Sequence, residues 1–442
     1  MTAVTSTPIP APISTQAAVH RAGRGPWQAF VRTVAARTPA SRDRALDAYR
    51  ALATLGVVTG HWLVGALVAQ PDGTLRIASP LRDLGALAPA SWVLQMLGLF
   101  FLVGGHSAVS SLARSAERGE PYATWLRRRF ARLTRPVLAA TALSAGCLAV
   151  LGAVGVPEGT LRTWVVLLVQ PFWFVAVYAV LTVLTRCAVA ADRRWGGWAA
   201  LPLLGVVAAG DLARYGPWSD AMPGWIGMVN LVPGWLFAYQ LGVSWGRGTF
   251  SAVPLGSKGA SKNRLGRRAG WLLLVGGASL FALLLLVFHY PASMVGVPGA
   301  ARSNAHPPSL LVPALAAFQS GAALLLHGPV SRLMRRPGLW AGVAAVNLAA
   351  MTIFCWHQVP ILLVSLVGKT AIGAVPGLTT SPDQVSWVLA RLAWLPVMAA
   401  VLVAVVAVTR RFEAPLGLRA PLARVGAAVV TAAAVGFFVT LY

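Results

Sequence analysis

The sequence predicts an all-α, polytopic integral membrane helix bundle with about ten core transmembrane helices and an eleventh, C-terminal one. Three observations carry this reading. Of the 442 residues 57% are hydrophobic and 11% charged, and the mean hydropathy is +0.68, whereas a soluble domain needs about 25% charged residues to coat its surface. The apolar residues gather into runs close to the roughly 20 residues that one span requires. Lys and Arg outnumber Asp and Glu by 37 to 12, for a net charge of +25, yet they sit in short clusters between the apolar runs and not along one polar face. That distribution belongs to a membrane protein and argues against a nucleic-acid partner.

Residues 1–42 are rich in Pro, Ser, Thr and Ala and have no apolar core of a signal peptide, so they read as a cytosolic, largely disordered basic tail. Its last part, Trp27 to Pro39, is a short basic amphipathic piece suited to anionic membrane lipids. The candidate spans follow at 46–69, 88–112, 136–156, 161–185, 196–213, 225–246, 269–289, 309–328, 339–367, 385–409 and 424–442. With the N-terminus in the cytosol of a plasma-membrane protein, the basic runs Arg127 to Arg135, Asp192 to Trp195, Ser257 to Arg268, Ser331 to Pro337 and Arg410 to Arg424 all fall inside. A transmembrane domain over 43–412 is then followed by a cytosolic loop and an additional helix over 413–442, which would place the C-terminus outside. Cys147, Cys187 and Cys355 lie in apolar runs without paired or metal-like spacing, so they read as packing residues, and no metal site is expected. No loop is long enough to bury a core of its own. Any chemistry must take place within the bundle or at its edges.

The first span singles itself out. Arg50 and His61 are eleven residues apart, which on a helix returns His61 to within ~20° of Arg50 and sets it ~16 Å deeper. Asp47 and Thr54 fall within ~40° of the same line, so a polar stripe is expected from the cytosolic mouth to mid-membrane. A polar stripe in hydrocarbon must face protein or a water-filled cavity. An imidazole titrates near neutral pH when unperturbed, which suits His61 to general-base work. Asp47 pairs with Arg50 or holds the geometry of the mouth. In the fourth span Gln170 and Trp173 are three apart and share a side.

The Arg-x10-His spacing of Arg50 and His61 resembles that of the membrane acyltransferase 3 family. The likeness continues in order through "LFFLVGGHSA" (Leu99 to Ala108), "YATWLRRRFARLTRP" (Tyr122 to Pro136), "PFWFVAVYAVLT" (Pro171 to Thr182) and "MTIFCWHQVPI" (Met351 to Ile361). "GWLFAYQLGVSWGRG" (Gly234 to Gly248) and "SNAHPPSLL" (Ser303 to Leu311) are similar to an actinobacterial branch. Gly104 and His106 depart from the pattern, standing where the family usually has a serine and an aromatic residue.

The resemblance implies an O-acyltransferase that takes acyl-CoA, acetyl-CoA among them, as co-substrate from the cytosolic side. It esterifies a hydroxyl of a sugar, glycan, lipid or secondary metabolite and holds no permanently bound cofactor. His61 is then the catalytic base, either by direct proton removal or through an acyl-imidazole. The guanidiniums of Arg50, Arg127, Arg128, Arg129 and Arg132 suit the phosphates of CoA. Trp173 and His357 are supporting or acceptor-binding candidates, whereas His20, His289, His306 and His327 are assigned no chemistry. The rival reading is a secondary transporter or lipid flippase in which His61 and Arg50 handle protons or anions. Asp47 lying at the mouth of its span, Asp211 is the one acid further inside a span that such a carrier could use.

Overall fold

The computed structural model describes residues 25–217, 219–250, 261–300, 302–372 and 374–413. The first part of the tail, residues 1–24, and the eleventh predicted span, 424–442, lie outside these. Helix α1 (Pro26–Arg37) contains the amphipathic piece read from the sequence, and it lies against α13 (Pro337–Leu348), where Trp340 Nε1 donates to Thr38 Oγ1 at 2.8 Å. Helix α2 (Arg44–Val64) is capped by Asp43, whose carboxylate accepts from the amides of Ala45 and Leu46.

The span predicted over 46–69 ends earlier than expected, and by length and apolarity α2 is not among the helices that qualify as membrane spans. After Val64 the chain becomes extended and strands β1 (Ala66–Ala69) and β2 (Leu75–Ala78) pair antiparallel, with Ala66 opposite Ala78. The apolar run hid this change, because a short greasy stretch reads alike as strand or helix. Short helix α3 (Ala90–Leu94) then leads into α4 (Leu97–Glu117), and α5 (Tyr122–Ala153) is one long helix.

Two predicted spans are broken. The one over 161–185 is split into α6 (Glu158–Val169) and α7 (Phe172–Val183) at Gln170–Pro171; proline lacks an amide hydrogen to continue the helical ladder. The one over 339–367 becomes α13, α14 (Ala350–Trp356) and α15 (Val359–Ile372), with a 59° bend between the first two. Between these lie α8 (Thr185–Trp195), α9 (Leu201–Tyr215), α10 (Leu231–Gly246), α11 (Ser261–Leu286) and α12 (Leu311–Leu333), and α16 (Val385–Thr409) follows α15. Among the described residues eight helical stretches are long and apolar enough to cross a membrane, or nine with the bent pair as one. The chain is a multi-pass, all-α membrane protein.

The centre of the bundle is the crossing of α4 with α10, where backbones touch. A Cβ added at Gly242 would lie 1.9 Å from the Leu102 carbonyl oxygen, and one at Gly105 would lie 2.1 Å from that of Tyr239. Lipid offers no hydrophobic drive for helix association, so this close approach supplies the dispersion contact. Phe101, Phe174 and Trp235 pack around it with ring centroids 5.2–5.3 Å apart. Leu272 on α11, Leu389 and Val403 on α16 and Val150 on α5 are exposed, as helices facing acyl chains require. Cys147 and Cys187 are also exposed and Cys355 is buried, so only the last is the packing residue the sequence suggested.

Gly242→Ala is expected to destabilise the bundle by about 1–3 kcal/mol through overpacking, read as a lower unfolding temperature in detergent. Gly276→Ala on α11, where nothing lies within 4 Å of the new atom, leaves that temperature unchanged or raises it.

Candidate active site

The stripe on α2 begins with a buried carboxylate. Asp47 is 2% exposed and accepts from Arg42 Nε at 2.5 Å and Nη2 at 2.8 Å, while Arg50 Nη1 stands at 3.4 Å. Asp47 therefore serves two arginines, and Arg42 holds it more closely than the Arg50 expected from the sequence. Arg50 turns its other amino group to Ser107 Oγ, 2.9 Å away on α4. One helical turn further along α4, Ser111 accepts from Arg129 Nη1 at 2.7 Å, and Arg129 Nη2 donates to Tyr178 at 3.3 Å.

The four arginines singled out on α5 thus part company. Arg129 is turned inward over the Trp125 ring; Arg127, Arg128 and Arg132 are exposed, with Arg128 paired to Glu120 and Arg127 donating to Thr124. Gly104 makes room for Tyr178, since a Cβ there would meet that ring at 2.9 Å. The departure from the family pattern at Gly104 thus has a packing reason. His106 sets its ring edge-on to Trp245 at 5.5 Å.

At the other end of α2, His61 lines a cavity of about 210 Å³ together with Gln170, Trp173, Gln358 and residues of both strands. The Gln358 amide nitrogen lies 3.1 Å from His61 Nδ1. His357 is fully buried behind it, ring centroids 4.9 Å apart, and does not line the cavity. Because the Phe354 carbonyl, 2.7 Å from His357 Nδ1, can only accept, that nitrogen carries the proton; Nε2 is buried without a hydrogen-bond partner. Trp62 Nε1 donates to the His357 carbonyl at 2.6 Å and locks α2 to this segment.

Between the two ends the lining is apolar, not polar as the stripe predicted. A second cavity of about 20 Å³ adjoins the first, sharing Val57 and Leu97 with it, and is otherwise lined by Thr54, Val58, Phe100, Phe174, Ala350, Met351 and Phe354. Thr54 donates to the Arg50 carbonyl, so this narrow throat lies between the arginines and His61.

Two groups escaped the sequence reading. His306 lines the His61 cavity and meets the Trp173 ring edge-on at 4.8 Å. Burial, reinforced by the neighbouring His61, pushes its imidazole down to about 4, so it is neutral at physiological pH. The segment that carries it, 290–310, is clasped at both ends by Asp211, which accepts from Tyr290 at 2.9 Å and from the Leu310 amide at 2.7 Å. Asp211 also accepts from Asn230 at 2.9 Å and pairs with Arg214 at 3.7 Å, which commits the carboxylate that a carrier would have needed. The second group is Arg391, 0% exposed on α16, which donates to the Gly65 carbonyl at 2.8 Å and stacks on Trp387. It braces the joint between α2 and β1 next to the cavity. An arginine inside a predicted span was itself a signal; His306 offered only its place in "SNAHPPS". Among the described residues no set of His, Cys, Asp or Glu side chains converges to hold a metal ion.

A family model described as an acyltransferase domain, that of the acyltransferase 3 family, matches residues 43–410. The chain belongs to this family. No curated protein and no solved structure matches it significantly. The matched range begins at the Asp43 cap and ends beyond α16, so the arginine end, the throat and the His61 cavity all lie within the acyltransferase domain.

Removing the Asp47 carboxylate leaves two cations without their partner. Asp47→Ala is expected to cost about 1–2 kcal/mol, less than a fully buried pair because both arginines reach solvent. It should lower the unfolding temperature in detergent more than Arg42→Ala does.

Proposed function

We propose that the protein transfers an acyl group from a cytosolic acyl-CoA, acetyl-CoA among them, to a hydroxyl of a sugar, glycan, lipid or secondary metabolite. The observation that carries this is the ordering along α2: two inward guanidiniums at one end, an apolar throat, then His61 in a cavity with room for a small acceptor. Membership of the acyltransferase family supplies the reaction class.

The CoA head carries phosphates, and guanidinium forks are matched to phosphate oxygens. Exposed Arg127, Arg128 and Arg132 meet the head first, and Arg50 and Arg129 hold it at the mouth. The uncharged pantetheine arm then runs through the throat, since Arg50 and His61 are ~16 Å apart on one continuous helix. This brings the thioester to the cavity. Dense positive charge at the arginine end favours the cytosolic side for it, in a plasma membrane with the N-terminus inside.

At His61 the acceptor oxygen attacks the thioester carbonyl carbon while the imidazole takes the hydroxyl proton. A carbon–oxygen bond forms, the carbon–sulfur bond breaks, and the proton passes to the departing thiolate, leaving ester and CoA thiol. For Nε2 to be the base, Nδ1 must carry the other proton and donate to Gln358. An amide has a donor and an acceptor on one carbon, so Gln358 turned carbonyl-first fixes that tautomer. Trp62 and the buried His357 hold this arrangement from behind. Trp173 gives the acceptor a flat apolar wall, and Asp47 keeps Arg50 aimed at the mouth.

With purified protein in lipid nanodiscs and radiolabelled acetyl-CoA, His61→Ala should lower thioester turnover by about 10²–10⁴-fold, the usual worth of a general base. Turnover at the parental rate would overturn the assignment. In the same assay Arg129→Ala should raise KM for acetyl-CoA by about tenfold at low salt, as loss of a charge-assisted hydrogen bond implies, by a margin that narrows as salt is added. Arg162→Ala, on the exposed surface of α6 and paired with Glu158, should leave it unchanged.

A further inference from the structure

The His61 cavity contains a second imidazole that the proposed reaction does not use. Its 24 lining residues include no Asp, Glu, Lys or Arg. A charged group placed there would meet no charged side chain in the lining, since the Arg391 guanidinium is turned to the Gly65 carbonyl and does not line the cavity, and burying it unpaired costs several kcal/mol. Most of the polar lining is already engaged. Gln358 is on His61, Ser91 donates to Ala88 and accepts from the Met294 amide, and Gln95 donates to the Met294 carbonyl.

His306 and Gln170 are different. Among the described residues no protein group takes a hydrogen bond from the His306 ring or from the Gln170 amide, and both side chains line the cavity beside Trp173. The ring of His306 is positioned nonetheless. Trp173 packs against it at right angles, Asp211 clasps the two ends of its segment, and Asn304 ties the interior by donating to the carbonyls of Pro291 and Ser293 and accepting from Ser309. Trp92 Nε1 adds a bond from the middle of α3 to the Ala292 carbonyl at 2.6 Å. A neutral imidazole so fixed offers one donor and one acceptor. That pair matches a hydroxyl, which is itself donor and acceptor.

We infer that His306, with Gln170 beside it, binds a second hydroxyl of the acceptor and so selects uncharged compounds carrying two neighbouring hydroxyls, one held by His306 while the other is presented to His61. This rests on the acyl-transfer reading above. No bond is made or broken at His306; it positions the acceptor, and the reacting proton passes through His61. A site built to hydrogen-bond a hydroxyl discriminates against the analogue lacking it, because its own polar groups are then left unpaired. Asp211 clasps the segment that carries His306, and it acts only by keeping His306 in place.

The test uses full-length protein in nanodiscs with acetyl-CoA and two small alcohols as probes, glycerol and 1-propanol, and measures how the acetyl group partitions among glycerol, propanol and water. The parent should favour glycerol over propanol by about tenfold, the worth of one hydrogen bond. His306→Ala should abolish that preference while leaving KM for acetyl-CoA unchanged. His306→Gln, which keeps a donor and an acceptor, should recover part of it, and Gln170→Ala should reduce it.

A parent with no preference, or a His306→Ala protein with parental partitioning, overturns the inference while acyl transfer stands. A parent that consumes no acetyl-CoA overturns the acyl-transfer reading beneath it. Should His306→Ala fail to fold, the His306→Gln and Gln170→Ala proteins decide the matter by the same partition ratio.

Discussion

Polar groups held where water cannot reach them must be partnered by protein, and the rest of this structure depends on that constraint. It explains why Asp47, nearly sealed from solvent, binds two arginines and why Gln358 stands on His61 Nδ1. It explains also why a single carboxylate, Asp211, gathers a tyrosine, a backbone amide, an asparagine and an arginine. Each cluster ties together segments far apart in sequence. The groups that the fold leaves without protein partners are therefore informative, and among the described residues those of His306 and Gln170 face the cavity beside Trp173.

The same constraint divides the interior into three environments along α2. Charged side chains gather at the end where Arg42, Arg50 and Arg129 meet Asp47, Ser107, Ser111 and Tyr178, while at the other end Arg391 is turned to the Gly65 carbonyl. The middle is lined almost wholly by aromatic and aliphatic side chains. The far cavity is uncharged but hydrogen-bonding. A molecule with a polyanionic head, a long neutral arm and a reactive thioester at its tip presents these properties in the same order. One helix thus sets both the spacing and the sequence of environments, and the crossing of α4 with α10 at Gly105 and Gly242 holds the walls opposite it.

Much of this was legible in the sequence, for definite reasons. Membrane spans announce themselves through length and apolarity, and the Arg50–His61 pair announces itself because helical geometry fixes both angle and depth. The breaks did not show. Gln170–Pro171 and the 59° bend before α14 lie inside unbroken greasy runs, and the β1–β2 hairpin begins inside one. The selection of Arg129 from four arginines was also hidden, because it depends on which face of α5 meets Ser111 and Tyr178. His306 stands in a loop far along the chain, and it is the Asp211 clasp together with Asn304 and Trp92 that holds it in the His61 cavity. Arg391 could have been read as an intramembrane cation, although its bond to Gly65 could not.

The central claim is that α2 carries the donor from its arginine end to His61, while the acceptor occupies the far cavity. An electron cryomicroscopy structure of the protein in nanodiscs with a non-hydrolysable acetyl-CoA analogue tests it most directly. The CoA phosphates are expected at Arg50 and Arg129, the pantetheine arm between Phe100, Phe174 and Phe354, and the acyl carbonyl beside His61. An analogue bound with its phosphates at the hairpin end, or wholly outside the throat, would contradict it.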